Sequence, residues 1–138
     1  MIAFDTNILT EILSGNTAFV NRASKIASLQ QSVPIIVVEE IMRGRLNIIR
    51  RCEAGKSNTS LEHAYQLFQD TFYVLRKVHI LPYSSNAESL YRQWKKQGIR
   101  VHTHDLRIAA ICVAYDTKLI TRNKKDFISV PDLNVEFW

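Results

Sequence analysis

Short apolar segments alternate along this chain with longer segments in which apolar residues recur every three or four positions. The short segments predict buried strands, at residues 2–4, 33–38, 78–81, 118–121 and 134–138. The longer segments predict helices, at residues 7–13, 17–29, 39–51, 61–75, 85–98 and 105–115. Strands that alternate with helices are typical of a parallel sheet covered on both faces. The expected fold class is therefore α/β, a three-layer α/β/α sandwich with a short central parallel sheet.

Two of the predicted helices carry detailed local signals. In the helix that begins at Ser85, Glu88 completes a capping box, Leu90 and Trp94 form the buried side, and Gly98 ends the helix. The helix at 61–75 has an apolar stripe, formed by Leu61, Tyr65, Phe68, Phe72 and Leu75. We interpret these aromatic residues as core or as a dimer surface, rather than as platforms for stacked bases.

Composition narrows the class of protein. The length of 138 residues is that of one domain, expected to span residues 1–138, and 46% hydrophobic residues with 22% charged residues exclude a disordered chain. No apolar run is long enough to cross a bilayer, and the first residues lack the features of a signal peptide, so we expect a cytoplasmic protein with no membrane partner. Cys52 and Cys112 are interpreted as reduced thiols. The net charge of +5 permits an anionic partner without identifying one.

Acidic and amide side chains fall where predicted strands end or helices begin. In an open parallel sheet, ligands bind beyond the carboxyl ends of the strands. Helix capping explains any one of these residues more simply, but it does not require several acids at one edge of one sheet. They are Asp5 after the first strand, Glu39 and Glu40 after the second, Asp105 at a helix start, and Asn123 and Asp126 after the strand at 118–121.

Carboxylates that converge repel one another and therefore need a cation. Oxygen ligands without paired His or Cys suit Mg²⁺ or Mn²⁺, and such a site hydrolyses phosphodiester bonds. No glycine-rich nucleotide motif or Ser or Cys nucleophile motif is present. We interpret His102 and His104, which flank Asp105, as part of a polar loop; a metal-free route in which two histidines promote attack by an RNA 2′-hydroxyl has less support.

Four segments carry a resemblance to a known family: "FDTNIL", "VVEEIMRG", "HDLRIAA" and "LITRNKKDF". In this order and at domain-length spacing they resemble the PIN-domain ribonucleases, and within them the VapC-type toxins of bacterial toxin–antitoxin pairs. The resemblance extends from Ile2 to the terminal "LNVEFW". It implies a metal-dependent endoribonuclease that inhibits growth, forms a homodimer and is neutralised by a cognate antitoxin.

The resemblance also implies roles for individual residues. Asp5 and Asp105 resemble the metal ligands, and Glu40 rather than Glu39 fits the family's acid, because Glu40 to Gly44 matches its pattern. Thr6 and Asn7 would order the turn that follows Asp5. The fourth acidic position of the family corresponds to Asn123 or to Asp126, and both remain open; the acid is favoured for the chemistry because it carries charge.

Basic residues close to these acids are candidates for RNA binding. An acidic pocket repels RNA, so we expect Arg43, Arg122 and Lys124 to contact backbone phosphates. Arg43 or Arg45 is equally suited to receive an acidic or C-terminal segment of a partner. The remaining basic residues of two helices are interpreted as solvated faces, namely Arg50, Arg51, Lys95 and Lys96.

Two other classes of function remain open. One is a PIN-like partner protein that binds nucleic acid and has little nuclease activity of its own. The other is a DNA-directed structure-specific nuclease, which usually carries more acids and an added arch or clamp.

Overall fold

A computed structural model describes residues 1–138 and contains five parallel strands in the order β3-β2-β1-β4-β5. The strands are β1 (Ile2–Phe4), β2 (Gln31–Pro34), β3 (His79–Leu81), β4 (Lys118–Thr121) and β5 (Val135–Phe137). Seven helices flank this sheet, which confirms the predicted α/β/α sandwich. The helices are α1 (Thr6–Leu13), α2 (Thr17–Ser24), α3 (Ile35–Glu53), α4 (Leu61–Leu75), α5 (Ser85–Lys96), α6 (Thr103–Ala114) and α7 (Lys124–Phe127). No helix combines the length and the apolar character that a membrane span requires.

The order of the strands places a crevice beside β1. The chain builds the sheet in one direction from β1 to β3 and then returns to the other side of β1 with β4 and β5. Ligands bind at such a reversal in doubly wound sheets. Phe4 pairs with Ile120, and the backbone N–H of Asp5 donates to the Ile120 carbonyl at 3.0 Å. Asp5 therefore leaves the sheet next to the last residue of β4.

The buried side chains form one cluster between the sheet and the helices. Trp94 is buried in it, as the sequence predicts, and so is Phe127, whereas Leu90 is only partly buried. Helix α5 packs on α6, and α3 packs on α4. Helix α3 also packs on β2, and α6 packs on β2 and β4, so both helices lie against the centre of the sheet.

The prediction of a strand at residues 33–38 is wrong for most of that run. The strand ends at Pro34, and α3 begins at Ile35. A short apolar run fits a buried strand or a buried helix equally well by periodicity. In the helix, Val37 faces the core and Ile35 is partly exposed, so the run has a one-sided burial that a strand covered on both faces does not have. As a result, Glu40 lies in the second turn of α3, not at the end of a strand.

Other boundaries also differ from the predictions. Helix α2 ends at Ser24 and is followed by a short 3₁₀ turn (Ser28–Gln30), α6 begins at Thr103, and α7 had no predicted counterpart. Ser84, not Ser85, caps α5 by accepting from the N–H of Ala87. The apolar stripe of α4 faces solvent for much of its length, with Leu61, Tyr65 and Phe72 exposed. Its buried face consists of Ala64, Thr71 and Leu75.

Candidate active site at the carboxyl edge of the sheet

Asp5 is a buried carboxylate at the junction between β1 and α1. It adopts an extended backbone and caps α1, with Oδ1 accepting from the N–H of Thr6 at 2.7 Å. Its other oxygen, Oδ2, accepts from the Thr121 hydroxyl at 2.6 Å. Burial raises the pKa of Asp5 above its usual range, the bonds from Thr121 and Thr6 oppose that rise, and the charge of Glu40 adds to it. Asp5 is thus held in a fixed orientation in which its negative charge is costly.

Asp105 lies in the first turn of α6, whose N-cap residue His102 makes no side-chain capping bond. Burial and, in decreasing order, the negative charges of Asp5, Glu40 and Asp126 together raise the pKa of Asp105 to about 6. His102 partly opposes this rise. The charges of the three other carboxylates therefore reach Asp105 across the crevice. We call them the acid cluster: Asp5, Glu40, Asp105 and Asp126.

The two glutamates of α3 have different surroundings. The Thr6 hydroxyl donates to Oε1 of Glu40 at 3.1 Å, which connects Glu40 to the turn that follows Asp5. Glu39 is exposed, accepts from Arg43 at 2.7 Å and lies 3.6 Å from the His104 imidazole. Glu40 rather than Glu39 therefore belongs to the acid cluster.

Asn123 and Asp126 both lie at the acid cluster, Asn123 as the N-cap residue of the short helix α7 and Asp126 within it. The Asn123 amide donates to Oδ2 of Asp126 at 2.7 Å and lies 3.4 Å from Oδ2 of Asp105. Its oxygen caps α7 by accepting from the N–H of Asp126. Asn123 is thus a donor between two acids, and Asp126 is the residue here that contributes charge.

Thr121 is a residue of the site that the sequence analysis missed. It is completely buried at the end of β4, donates to Asp5 and accepts from the backbone N–H of Asn123 at 3.0 Å. The amide of Asn7 lies 3.4 Å from the same hydroxyl, and its oxygen accepts from the N–H of Arg122 at 3.2 Å. The available signal was a polar residue that ends a buried strand level with Asp5.

The basic residues expected to contact RNA make contacts within the chain. Arg122 donates to Glu11 at 2.8 Å and lies over the ring of Phe19, and Lys124 lies 5.9 Å from the centre of the Phe137 ring. Arg50, interpreted from the sequence as a solvated residue, is exposed and also lines a groove. We call it the α3 groove, a polar depression of about 440 Å³ lined by Glu40, Arg43, Gly44, Asn47, Arg50 and His104.

The acid cluster has the chemistry of a site for a hydrated divalent cation. None of its four carboxylates forms an ion pair with Lys, Arg or His. No three His, Cys, Asp or Glu side chains are arranged to hold an ion by themselves. Mg²⁺ usually keeps several of its waters and contacts one or two carboxylates, so a spaced set of acids fits it. The carboxylate oxygens of the acid cluster are donors of the kind that a divalent cation such as Mg²⁺ or Mn²⁺ prefers, so the donor set is chemically suited to such an ion.

Comparison with known proteins gives one family and a consistent fold. The family model of the PIN domain matches residues 2–133. A ribonuclease VapC of Rickettsia bellii is 29% identical over 100 residues, which cover 72% of this chain and 70% of that protein. A toxin–antitoxin complex from Klebsiella pneumoniae contains a chain with a TM-score of 0.74 and 24% identity, covering 99% of this chain and 96% of that one. A VapBC2 structure from Rickettsia felis, bound to a promoter DNA fragment, has a TM-score of 0.73 and 22% identity, covering 100% and 99%.

Proposed function

The chain belongs to the PIN domain family, and on that premise we propose that it is a Mg²⁺- or Mn²⁺-dependent endoribonuclease that acts as a growth-inhibiting toxin. The observation that carries the proposal is the acid cluster, four carboxylates at one edge of the sheet, none of which forms an ion pair with a basic residue of the chain. Burial and neighbouring carboxylates raise the pKa of Asp5 and of Asp105 in it. A relative of similar sequence is named a ribonuclease VapC, which supports RNA as the substrate.

In this proposal Asp5 and Asp105 hold the metal together with Glu40. A bound Mg²⁺ or Mn²⁺ would polarise the scissile phosphate and lower the pKa of water. Thr121 and the N–H of Thr6 fix the orientation of Asp5, so this carboxylate needs no rearrangement during the reaction. The Thr6 hydroxyl does the same for Glu40.

Glu40 and Asp126 orient the attacking water and accept its proton. The Asn123 amide donates to Asp126 and leaves the other oxygen of that carboxylate free to accept from water. Attack of this water on phosphorus breaks the bond to the 3′ oxygen. The expected products carry a 3′-hydroxyl and a 5′-phosphate.

We also propose a cognate antitoxin as partner and a homodimer as the assembly. Structural neighbours of this chain were solved as toxin–antitoxin complexes, which supports the antitoxin. Exposed apolar side chains along α4 support a surface that is covered by protein, among them Leu61, Tyr65, Phe72, Tyr73 and Val74. We place the activity in the cytoplasm, where the free thiols of Cys52 and Cys112 would stay reduced.

The test is cleavage of RNA by the purified chain without antitoxin. Total RNA is incubated with Mg²⁺, with Mn²⁺ or with excess EDTA, the cut ends are mapped, and single- and double-stranded DNA are assayed in parallel. We expect metal-dependent cuts in RNA that leave 3′-hydroxyl and 5′-phosphate ends. An Asp116→Asn variant is the matched control, because Asp116 is an exposed acid in the turn between α6 and β4, outside the acid cluster.

Three results would contradict the proposal. Full activity in excess EDTA, or ends that carry 2′,3′-cyclic phosphate, would indicate metal-free attack by the 2′-hydroxyl. Tight RNA binding without cleavage at any metal concentration would indicate a binding partner protein. Preferential cutting of DNA would indicate a DNA-directed nuclease.

A further inference from the structure

Gly44 lies in the middle of α3, where neither backbone strain nor packing requires a glycine. Its backbone is helical, and a Cβ built on it would meet no atom within 4 Å. Glycine in a helix interior is destabilising relative to alanine, because it loses more conformational freedom on folding. Helix α3 is therefore less stable with glycine at this position than it would be with alanine, although the methyl group of alanine would fit.

Gly44 forms part of the floor of the α3 groove. The α3 residues that line this groove recur at spacings of three, four and seven, so they share one side of the helix. This side starts at Glu40, within the acid cluster, and reaches Arg50 about 15 Å further along the helix axis. No apolar side chain lines the groove. A side chain at position 44 would extend into the space that Gly44 leaves open beside the helix.

The donors along this groove are available to a ligand. Arg50 and Asn47 are exposed, and neither forms an ion pair or a side-chain hydrogen bond within the chain. Arg43 uses one nitrogen to bind Glu39 and keeps its other donors free. Two guanidinium groups and an amide in a row suit an anionic, hydrogen-bonding chain.

We propose that the α3 groove holds the phosphodiester backbone of the RNA strand next to the bond that is cut. Arg43 and Arg50 contact phosphates, Asn47 contacts phosphate or sugar, and Gly44 has no side chain so that the strand lies against the helix. The proposal rests on the proposed ribonuclease function. RNA fits better than an acidic peptide because the groove shares Glu40 with the acid cluster and has no apolar lining, which a peptide groove normally contains.

The first test is the Gly44→Ala variant, in which stability and substrate binding are expected to change in opposite directions. The melting temperature should rise by about 2–4 °C, since alanine favours the helix. The KM for RNA should rise at least about threefold while kcat stays the same, and Gly44→Leu should raise the KM further. A higher melting temperature with unchanged KM overturns the proposal. A lower melting temperature also overturns it, because the glycine would then be required by the fold.

The second test measures RNA binding without cleavage, so that it does not depend on nuclease activity. A single-stranded RNA oligonucleotide is titrated in EDTA against Arg50→Ala and against the control Arg51→Ala, which removes the same charge from the neighbouring exposed residue outside the groove. Arg50→Ala should weaken binding about five- to tenfold. It should also reduce the slope of log K against log salt by about 0.7, the value for one phosphate contact on a single strand. Arg51→Ala should change the affinity less than about twofold.

The outcomes of this titration separate the two proposals. Equal losses in both variants, or none in either, overturn the groove as a specific RNA site. If Arg50→Ala keeps the RNA affinity of the wild type, and a separate cleavage assay with added antitoxin shows weaker inhibition of this variant, the groove belongs to a protein partner and the proposal is wrong. If the chain binds RNA through Arg50 but cuts no RNA, the result supports the proposed role of the groove and contradicts the proposed ribonuclease activity.

Discussion

Glu88 and Asp105 occupy equivalent positions in two helices that pack against each other, and their environments are opposite. Each lies in the first turn of its helix, α5 or α6. Glu88 accepts from the Tyr83 hydroxyl and, at 2.5 Å, from Nε of Arg92, and these bonds lower its pKa. Burial, together with the bond to Glu88 and its charge, raises the pKa of Tyr83 to about 12. Burial and the charges of three neighbouring carboxylates raise the pKa of Asp105 to about 6.

This difference shows what separates a structural acid from a functional one in this fold. An acid in the first turn of a helix is favoured by the helix dipole in both cases, so the position alone does not distinguish them. The partners do. Glu88 is supplied with donors by its own helix and the preceding loop, whereas the acid cluster collects four acids from four separate helices and strand ends. Acids whose negative charges are not balanced by basic groups lower the stability of the fold. By our proposal, this chain uses them for catalysis.

The largest expected effect is that of Asp5→Asn, which removes one charge from the acid cluster. Asn caps helices about as well as Asp, so α1 and the fold should persist. Cleavage should fall by at least about 100-fold, and growth arrest on expression should be lost. The rate of cleavage and the far-UV circular dichroism of the purified variant check this. A folded, active and toxic variant would make Asp5 a helix cap like any other.

Next in size is the contrast between Asp126→Asn and Asn123→Ala. Asp126 carries the charge, and Asn123 orients it, so we expect rates reduced about 10-fold and about threefold, respectively, at saturating Mg²⁺. Single-turnover rates on one RNA substrate measure both. If Asn123→Ala proves the more damaging of the two, the roles are reversed and Asp126 serves the structure of α7.

Asp105→Asn should stabilise the metal-free protein. Since Asp105 is partly buried and solvent screens the repulsion, we expect on the order of 1 kcal/mol, or a few degrees in Tm. The stabilisation by added Mg²⁺ should shrink as well. Thermal melts in EDTA and in Mg²⁺ measure both changes. A metal-free Tm that does not rise, together with an intact Mg²⁺ response, counts against mutual repulsion in the acid cluster.

The raised pKa of Asp105 also predicts how its contribution to protein stability depends on pH. The pKa of Asp105 is about 6 in the folded protein against an ordinary value of 3.8, so the unfolded chain loses this proton first. The stability of the wild type in EDTA should therefore fall as the pH rises from about 4 to about 6. Asp105→Asn should lack this part of the fall, although the contribution of Asp5 remains.

The smallest expected effect is that of Glu88→Gln, on the structural side of the comparison. Loss of the charged acceptor for Tyr83 and Arg92 should lower the Tm at neutral pH by a degree or two and leave cleavage within about twofold of the wild type. The pH dependence of this contribution to stability has the opposite sign to that of Asp105. Because the pKa of Glu88 is lowered in the folded protein, Glu88 stabilises the fold above its ordinary pKa of 4.5, and this stabilisation is lost as the pH falls below that value. Equal Tm values for the variant and the wild type at acidic pH would agree with this pH dependence. A large loss of cleavage would contradict the structural role of Glu88.

The sequence alone determined most of the elements, although not all their boundaries, and indicated the family. Alternating periodicity predicted the parallel α/β/α sandwich, since burial on one or two faces leaves a local signature in the apolar pattern. Asp5 and Asp105 stood out because each follows or opens an element at a sheet edge. The four ordered segments indicated the PIN-domain ribonucleases, and the match over residues 2–133 confirms that family.

Only the tertiary structure decided the environment of each acid. Thr121 reaches Asp5 across 116 residues of sequence, and Thr6 reaches Glu40 across 34, so no local pattern contains these contacts. The apolar run at residues 33–38 is compatible with a strand or a helix, and packing against the rest of the fold favours the helix from Ile35 onward. The opposite pKa shifts of Glu88 and Asp105 arise for the same reason. Sequence position sets the preference of an acid for a helix start, but the charges and donors that surround it are brought there by distant parts of the chain.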